Sequence, residues 1–586
     1  MASEPQGDFV RACALDELKE EGRTLVTGRG TPLAVFYHED EVFATDNRCP
    51  HMGFPLTDGS VEDGVLTCHW HHARFELSCG DTFDPWADDV RTYPVEVRDG
   101  DVYVNPDPER DEPPAERWAA RLEDGLERNL RLVVAKSVLG LADAGVPSAE
   151  VVETGVRFGA RYREAGWGPG LTVLTAMANV LPHLREEDRT RALYQGLAEV
   201  ANDCADEPPR FDQEAFGARD VPYDRLKSWF RENVEVRDAD GAERVLRTAI
   251  ANDCSDARVA EMLAAAATDH RYLNAGHTLD FVNKAFEALD TVGRDRAEAV
   301  LPTLVRGLAT AARAEERSSW RQPVDLASML EGTFDGLDEL VAAGESKSWT
   351  APEGFTETLL ADDPETVFSA LTSAIAEGAT VEELAGEVAY AAGTHVARFG
   401  TVNEFSDWNT VHHTFTYANA VHRLARRTGA TELYRGVFDA ATNVYLDRFL
   451  NTPPAPVPDR PGGDADGEGD AETHLDGLLA AFDAEGRVDA AGRHAAHFLD
   501  RGGDPARLRE RLGRGLLRED AGFHTFQALE AGFSQIDVRD DPEEIRTLFV
   551  AVARYLAAHF PTRREREQTF TIAARLHRGE RIHEAE

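Results

Sequence analysis

Over residues 9 to 105 apolar and polar positions alternate in short stretches. Thr24 to Thr27, Leu33 to Tyr37, Glu41 to Thr45, Val65 to Cys68, Val95 to Arg98 and Asp101 to Val104 show period two or a compact apolar run, which predicts strands. Gly and Asp punctuate them, and Asp99-Gly100 in "RDGDVYV" predicts a tight hairpin. From about Trp118 the spacing becomes helical, with Leu122, Leu126, Leu130, Val133, Val134, Val138 and Leu141 at steps of three and four. The pattern predicts a multidomain chain: a small all-β domain over residues 1–106, then a large all-α region.

Two breaks divide the chain further. "NPDPERDEPPAE", from Asn105 to Glu116, sets Pro between charges and predicts a stiff linker over 107–117. "NTPPAPVPDRPGGDADGEGDAET", from Asn451 to Thr473, predicts a flexible acidic insert. The α region thus reads as a main domain over 118–450 and a last helical segment over 474–586 that packs on it.

The helical part repeats weakly. "RFGA" at Arg157, Trp167, "AN" at Ala178 and "LYQG" at Leu193 return as "RFGT" at Arg398, Trp408, "AN" at Ala418 and "LYRG" at Leu433. "HTLDFVN" from His277 and "HTFQALE" from His524 align with "HTFTYAN" from His413, and Val173 takes that histidine's place in the first copy. Such duplication is what stacked helical units produce, each needing a neighbour to bury its apolar face.

Charge changes the picture. There are 106 acidic against 62 basic residues, a net −44, and only 5 of the basic ones are Lys. This excludes the basic balance of a nucleic-acid binder. Self-repulsion on this scale is relieved by concentrated salt, which points to the cytoplasm of a salt-accumulating halophile. No apolar run is long enough for a membrane span, and "MASEPQGDFV" has no secretory pattern, so the expectation is a soluble cytoplasmic protein. Six cysteines in 586 residues make no disulfide scaffold.

The chemistry-bearing motif is "CPHMGFPL", from Cys49, followed by "CHWHHARFEL", from Cys68. Cys49, His51, Cys68 and His71 offer two thiolates and two imidazoles from two loops between strands. Such a set holds a [2Fe-2S] cluster asymmetrically, two Cys on one iron and two His on the other, or a tetrahedral zinc, although zinc-finger spacing differs. His69 and His72 flank His71, and the two-residue gap after Cys68 selects His71. Cys79 and Cys13 read as small buried residues.

These residues, with "GVLTCHWH", the "FDP" run at Phe83 and the closing "YPVEVRDGDVYV", closely resemble the Rieske family over roughly residues 8–105. The resemblance implies one [2Fe-2S] cluster on Cys49, His51, Cys68 and His71. It resembles Rieske ferredoxins and the small-subunit-like modules of ring-hydroxylating and nitrite-reducing systems, which take an electron from a reductase or ferredoxin and pass it on. Respiratory Rieske proteins join the two loops by a disulfide, at positions that here are Phe54 and Trp70. They also present Ser and Tyr hydroxyls, at positions that here are Ala73 and Phe75. Losing those hydrogen bonds implies a potential toward the bottom of the range of about −150 to +300 mV.

Fourteen of the nineteen histidines lie beyond residue 115. His277, His413 and His524 share one repeat position and are the candidate catalytic set, as acid/base groups or metal ligands; the competing reading is inherited packing. His270 shares their face if its helix is continuous through His277. In that packing reading, paired histidines such as His412-His413 and His494/His497 are incidental. The Glu-x-x-His of a di-iron bundle occurs only at Glu580–His583, and no dinucleotide fingerprint or P-loop is present. The helical part does not resemble the catalytic domain of ring-hydroxylating oxygenases. It loosely resembles questin-oxidase-like proteins, with no motif matched and no residue role carried over. The expected function is single-electron delivery to a helical pocket taking a small-molecule substrate, an oxidoreductase; the alternative is a redox-responsive scaffold whose repeats hold a partner.

Overall fold

The structure is a computed structural model that describes residues 9–28, 30–84, 86–106, 113–217, 220–460, 469–578 and 580. Pro85 of the "FDP" run, the centres of the linker and of the acidic insert, and His583 lie outside these residues. Packing divides the chain into two compact units, residues 1–147 with 568–586, and residues 148–567.

The first unit begins with β1 (Val10–Ala14), α1 (Leu15–Glu21), β2 (Arg23–Gly28), β3 (Thr31–His38), β4 (Glu41–Asp46), β5 (Ser60–Glu62), β6 (Val65–Thr67), β7 (Arg74–Glu76), β8 (Val95–Arg98) and β9 (Asp101–Val104). They form three antiparallel three-stranded sheets, ordered β1-β9-β8, β2-β3-β4 and β5-β6-β7. Leu33 to Phe36 is continuously apolar because both faces of β3 are covered. Leu33 and Val35 point into a core with Leu18, Val102 and Val104, whereas Ala34 and Phe36 point into a second core that contains Cys49 and Cys68. The β8–β9 turn has Asp99 at φ 48° and Gly100 at φ 85°, the pair of positive angles that a two-residue hairpin requires.

Two helices past the Pro-rich stretch, α2 (Pro114–Glu127) and α3 (Arg131–Asp143), pack with this unit. α2 starts inside the stretch read as linker, with Pro114 in the first turn, where its missing N–H costs nothing. The helical pattern from Leu122 to Leu141 is interrupted at Asn129, whose φ of 51° turns the chain between them. A Cβ on Gly140 would meet the Trp118 ring at 2.2 Å, so glycine there lets α3 seat against α2.

The second unit is helical throughout its regular structure. Its centre is built from the repeat helices: Pro169–Val180, His277–Val292, Phe405–Thr428 and Phe523–Ile536, which pack on one another in that order with the last beside the first. At one level lie His277, His413 and His524. Further along, Gln527 donates to Asp280, Lys284 pairs with Glu530 at 2.5 Å, and Gln535 donates to Asn419 at 2.8 Å. Partners advance together along the chain, so the His277, His413 and His524 helices run in the same direction. The deeper layer is charged and closed: Lys284 Nζ also reaches Glu287 at 2.7 Å, and Asn179 Nδ2 donates to Glu287 at 2.8 Å and to Glu530 at 3.0 Å. Among the described residues no helix is long and apolar enough to cross a membrane.

His270 does not share the face of His277. The preceding helix ends at Thr268, and Tyr272, Asn274, Ala275 and Gly276 all take positive φ before His277 begins the next one. His270 instead bonds Glu315 at 2.7 Å and Glu235.

Candidate functional site

The first site is carried by two loops with the same backbone design. In the β4–β5 loop Cys49 N–H donates to Phe54 O at 2.8 Å and Gly53 N–H donates back to Cys49 O at 2.7 Å. In the β6–β7 loop Cys68 N–H donates to Ala73 O at 2.8 Å and His72 N–H donates to Cys68 O at 3.0 Å. The residue four after each Cys is left-handed, Gly53 at φ 78° and His72 at φ 63°. His72 thus closes a turn, and His71 is the imidazole that meets His51, with ring centroids 4.8 Å apart. His69 is turned to Ser60 at 3.0 Å.

Cys49 and Cys68 are buried at 2% and 1% exposure, while His51 is half-buried and His71 exposed, so the thiols face the core and the imidazoles the surface. The thiols interact directly: the hydrogen bond between them pushes Cys49 up and holds Cys68 down. Burial, then His71 and Lys136, push His51 down to about 4, leaving a neutral imidazole. Its buried Nδ1 has no hydrogen-bond partner among the described residues. Two adjoining thiols, an unsatisfied buried imidazole nitrogen and a second imidazole beside it fit the 2 Cys, 2 His donor set of a [2Fe-2S] cluster.

The surroundings are specific. Trp86 packs edge-on to His51 at 4.7 Å, and Trp70 lies over His71 at 4.3 Å. Phe54 and Trp70 pack with centroids 6.0 Å apart, and all six cysteines are free, so no disulfide joins the loops. Ala73 and Phe75 are fully buried and bring no hydroxyl to the loops. Lys136 of α3 donates to Pro50 O, between Cys49 and His51, and pairs with Asp88 at 2.7 Å. Burial raises Asp88, but Lys136 and Arg121 outweigh it and hold the carboxyl below its usual range.

The second site lies in the helical unit. The structure brings His277, His413 and His524 together, with ring centroids 4.5 to 5.5 Å apart and His413 Nε2 to His524 Nε2 at 2.9 Å. One ring nitrogen from each falls within 4.8 Å of the others. Burial pushes His277 to about 4; burial and the neighbouring imidazoles push His413 to about 2 and His524 to about 4. His413 also lines a cavity of 320 Å³ with Tyr272, Asp447, Arg317, Trp320 and Tyr445. Burial raises Asp447 to about 8, against the 2.6 Å hydrogen bond from Thr414.

Sequence reasoning missed Lys136, Trp86, Asp447 and Tyr272, and left His412 outside the candidate set. His412 is 1% exposed, its ring 5.5 Å from that of His524, and neither ring nitrogen has a hydrogen-bond partner among the described residues. The pair His494 and His497 lies elsewhere, with His474.

Residues 8–94 match the Rieske [2Fe-2S] domain family. The chain is 37% identical over 95 residues to the 3-phenylpropionate/cinnamic acid dioxygenase ferredoxin subunit of Photorhabdus laumondii, covering 16% of this chain and 89% of that one. It is 32% identical over 98 residues to the naphthalene 1,2-dioxygenase system ferredoxin component of Pseudomonas putida, covering 17% of this chain and 94% of the relative. Among solved structures, the ferredoxin of carbazole 1,9a-dioxygenase from Nocardioides aromaticivorans is 29% identical, covering 17% of this chain and all of that one, with a TM-score of 0.17. Rieske homologues bind a [2Fe-2S] cluster, and these relatives are electron-transfer components of oxygenase systems. Through this N-terminal domain the chain belongs to the Rieske [2Fe-2S] family.

Proposed function

We propose that the chain is an oxidoreductase in which Cys49, His51, Cys68 and His71 carry single electrons for a reaction at the cavity lined by His413, Asp447 and Tyr272. The observation that carries this reading is that His277, His413 and His524, from three separate repeats, meet where one of them, His413, lines that cavity. A scaffold needs no cavity beside such a set.

A bound [2Fe-2S] cluster supplies one-electron transfer. The chain's own residues do the rest. Cys49 and Cys68 offer thiolate from inside, His51 keeps a free lone pair, Trp70 and Trp86 cover the imidazole faces, and Lys136 fixes the Pro50 carbonyl. In the helical unit Asp447 retains its proton at neutral pH and is fitted to give it to a bound molecule. His413 is too weakly basic to store a proton and acts through its lone pair. Arg317 among Tyr272, Trp320 and Tyr445 suits a small aromatic acid.

The electron donor is a reductase or ferredoxin, as for the oxygenase ferredoxins that the chain resembles. Carrying donor and reaction site on one chain replaces a diffusing partner by a tethered one. With a charge of −44, nucleic acid is not a partner. The same charge supports a salt-rich cytoplasm as the setting; a urea midpoint that fails to rise with KCl counts against it.

The test is reoxidation of the dithionite-reduced protein by dioxygen in the presence of a panel of small aromatic acids. His413→Ala and Asp447→Asn are expected to lose acid-dependent turnover by about 100-fold or more while the Rieske EPR signal persists. Turnover that survives both changes removes the pocket from the function.

A further inference from the structure

We infer that His277, His413 and His524 bind one divalent first-row transition metal ion. This deepens the reading of the cavity as a reaction site and rests on it only for what the ion would be used for; the geometry stands by itself.

Three observations carry it. The ligand atoms already lie within 4.8 Å of one another, one from each of three helices, and the His413 and His524 nitrogens are 2.9 Å apart. Two nitrogens each bound at about 2.1 Å stand about 3.0 Å apart at a right angle and about 3.4 Å apart at the tetrahedral angle, so that pair is at the short end of ligand spacing. Three imidazoles suit zinc, iron, copper or nickel better than calcium or magnesium.

The second observation concerns neighbours. The His277 ring is wedged by Phe281 at 5.8 Å and Phe523 at 5.5 Å, which fixes its plane. His412, Tyr555 and His559 form a row beside the set, with successive ring centroids 4.9 and 4.2 Å apart.

The third is His412. A fully buried imidazole with neither nitrogen satisfied is costly in a packed interior, and its ring abuts that of His524. A metal-bound water beside His524 would give it a partner. Of the three, His413 lines the 320 Å³ cavity, so an ion held by the set would lie next to room for a small molecule, as in catalytic rather than structural sites.

Inherited packing is the competing account, in which His413 and His524 simply share a hydrogen bond. The full chain, metal-depleted with its Rieske signal retained, is titrated anaerobically with Co(II), and coordination is read from the visible d–d bands. One equivalent per chain is expected. His413→Ala and His524→Ala should each weaken binding by more than about 100-fold, beyond the 10- to 100-fold usual for residues that only orient ligands. His494→Ala, in the separate histidine group around His474, should leave the titration unchanged and reports that the fold tolerates loss of an imidazole. Metal analysis of the unstripped protein should give one transition-metal ion beyond the two cluster irons.

No d–d bands up to millimolar Co(II), or binding that persists in a His413→Ala/His524→Ala double variant, overturns the inference. The two proposals fail separately. Turnover that depends on Asp447 without any bound ion leaves the pocket in place and removes the metal, whereas one bound ion with no turnover does the reverse.

Discussion

Lys136 Nζ lies 2.7 Å from Asp88 Oδ2 and donates as well to the Pro50 carbonyl, so a cation from α3 is built into the loop that carries Cys49 and His51. Adding an electron makes the neighbourhood more negative, and a fixed ammonium favours that state. Lys136→Met is therefore expected to lower the reduction potential by tens of millivolts, since a one-electron couple moves about 59 mV for each 1.4 kcal/mol. Voltammetry against an Arg128→Met control checks it; an unchanged potential removes Lys136 as a tuning group.

Ala73 is fully buried beside the Cys68 loop and brings no hydroxyl. Ala73→Ser adds one donor where respiratory Rieske proteins, by resemblance, have theirs. The potential should rise, again by tens of millivolts, with the EPR line shape little changed. A fall, or no movement, shows that the added hydroxyl does not reach the cluster's sulfur atoms.

Lys284 is 1% exposed and holds Glu287 and Glu530 together. Lys284→Met leaves two buried carboxylates facing one another and should cost about 3 to 5 kcal/mol. Replacing the whole group with apolar residues, as in Lys284→Met/Glu287→Leu/Glu530→Leu, should return much of that loss. Urea unfolding of both variants decides; equal destabilisation by both would mean that shape rather than charge is at stake.

His412 is held well below its ordinary value of 6.5, mainly by burial and then by His524 and His413. Unfolded chains therefore take up a proton below pH 6.5 that the folded form refuses, and stability falls as pH drops through that value. His412→Phe should remove up to one proton from this dependence, flattening the acid limb by about 1.4 kcal/mol per pH unit at most. Identical slopes for the two proteins below pH 6.5 would show that His412 is protonated in the fold.

What the sequence made legible follows from where its constraints are local. Cys49, His51, Cys68 and His71 stand out as candidates because they sit at short spacings within two turns, and the structure brings the His51 and His71 rings together. His277, His413 and His524 are found because duplication leaves the same letter at the same repeat position, although they are 111 or more residues apart. Lys136 could not be found this way. It occurs in an apolar helical pattern with nothing local to mark it, and its role depends on a loop 86 residues away. The break at His270 was hidden because a run of left-handed residues ending in Gly276 has no strong signal in Tyr272, Asn274 and Ala275. Asp447 looks like any helical acid until burial gives it a proton.

The paired turns of the Rieske domain have a kinetic consequence. Each Cys is tied by its own N–H and C=O within a closed backbone ring, with Gly53 or His72 supplying the reversed angle. Nothing in that tether changes with the charge held between the loops. Little nuclear rearrangement should therefore accompany gain or loss of an electron. A low reorganisation energy, obtained from main-chain hydrogen bonds alone, leaves the side chains around the site free to set its potential without slowing the transfer.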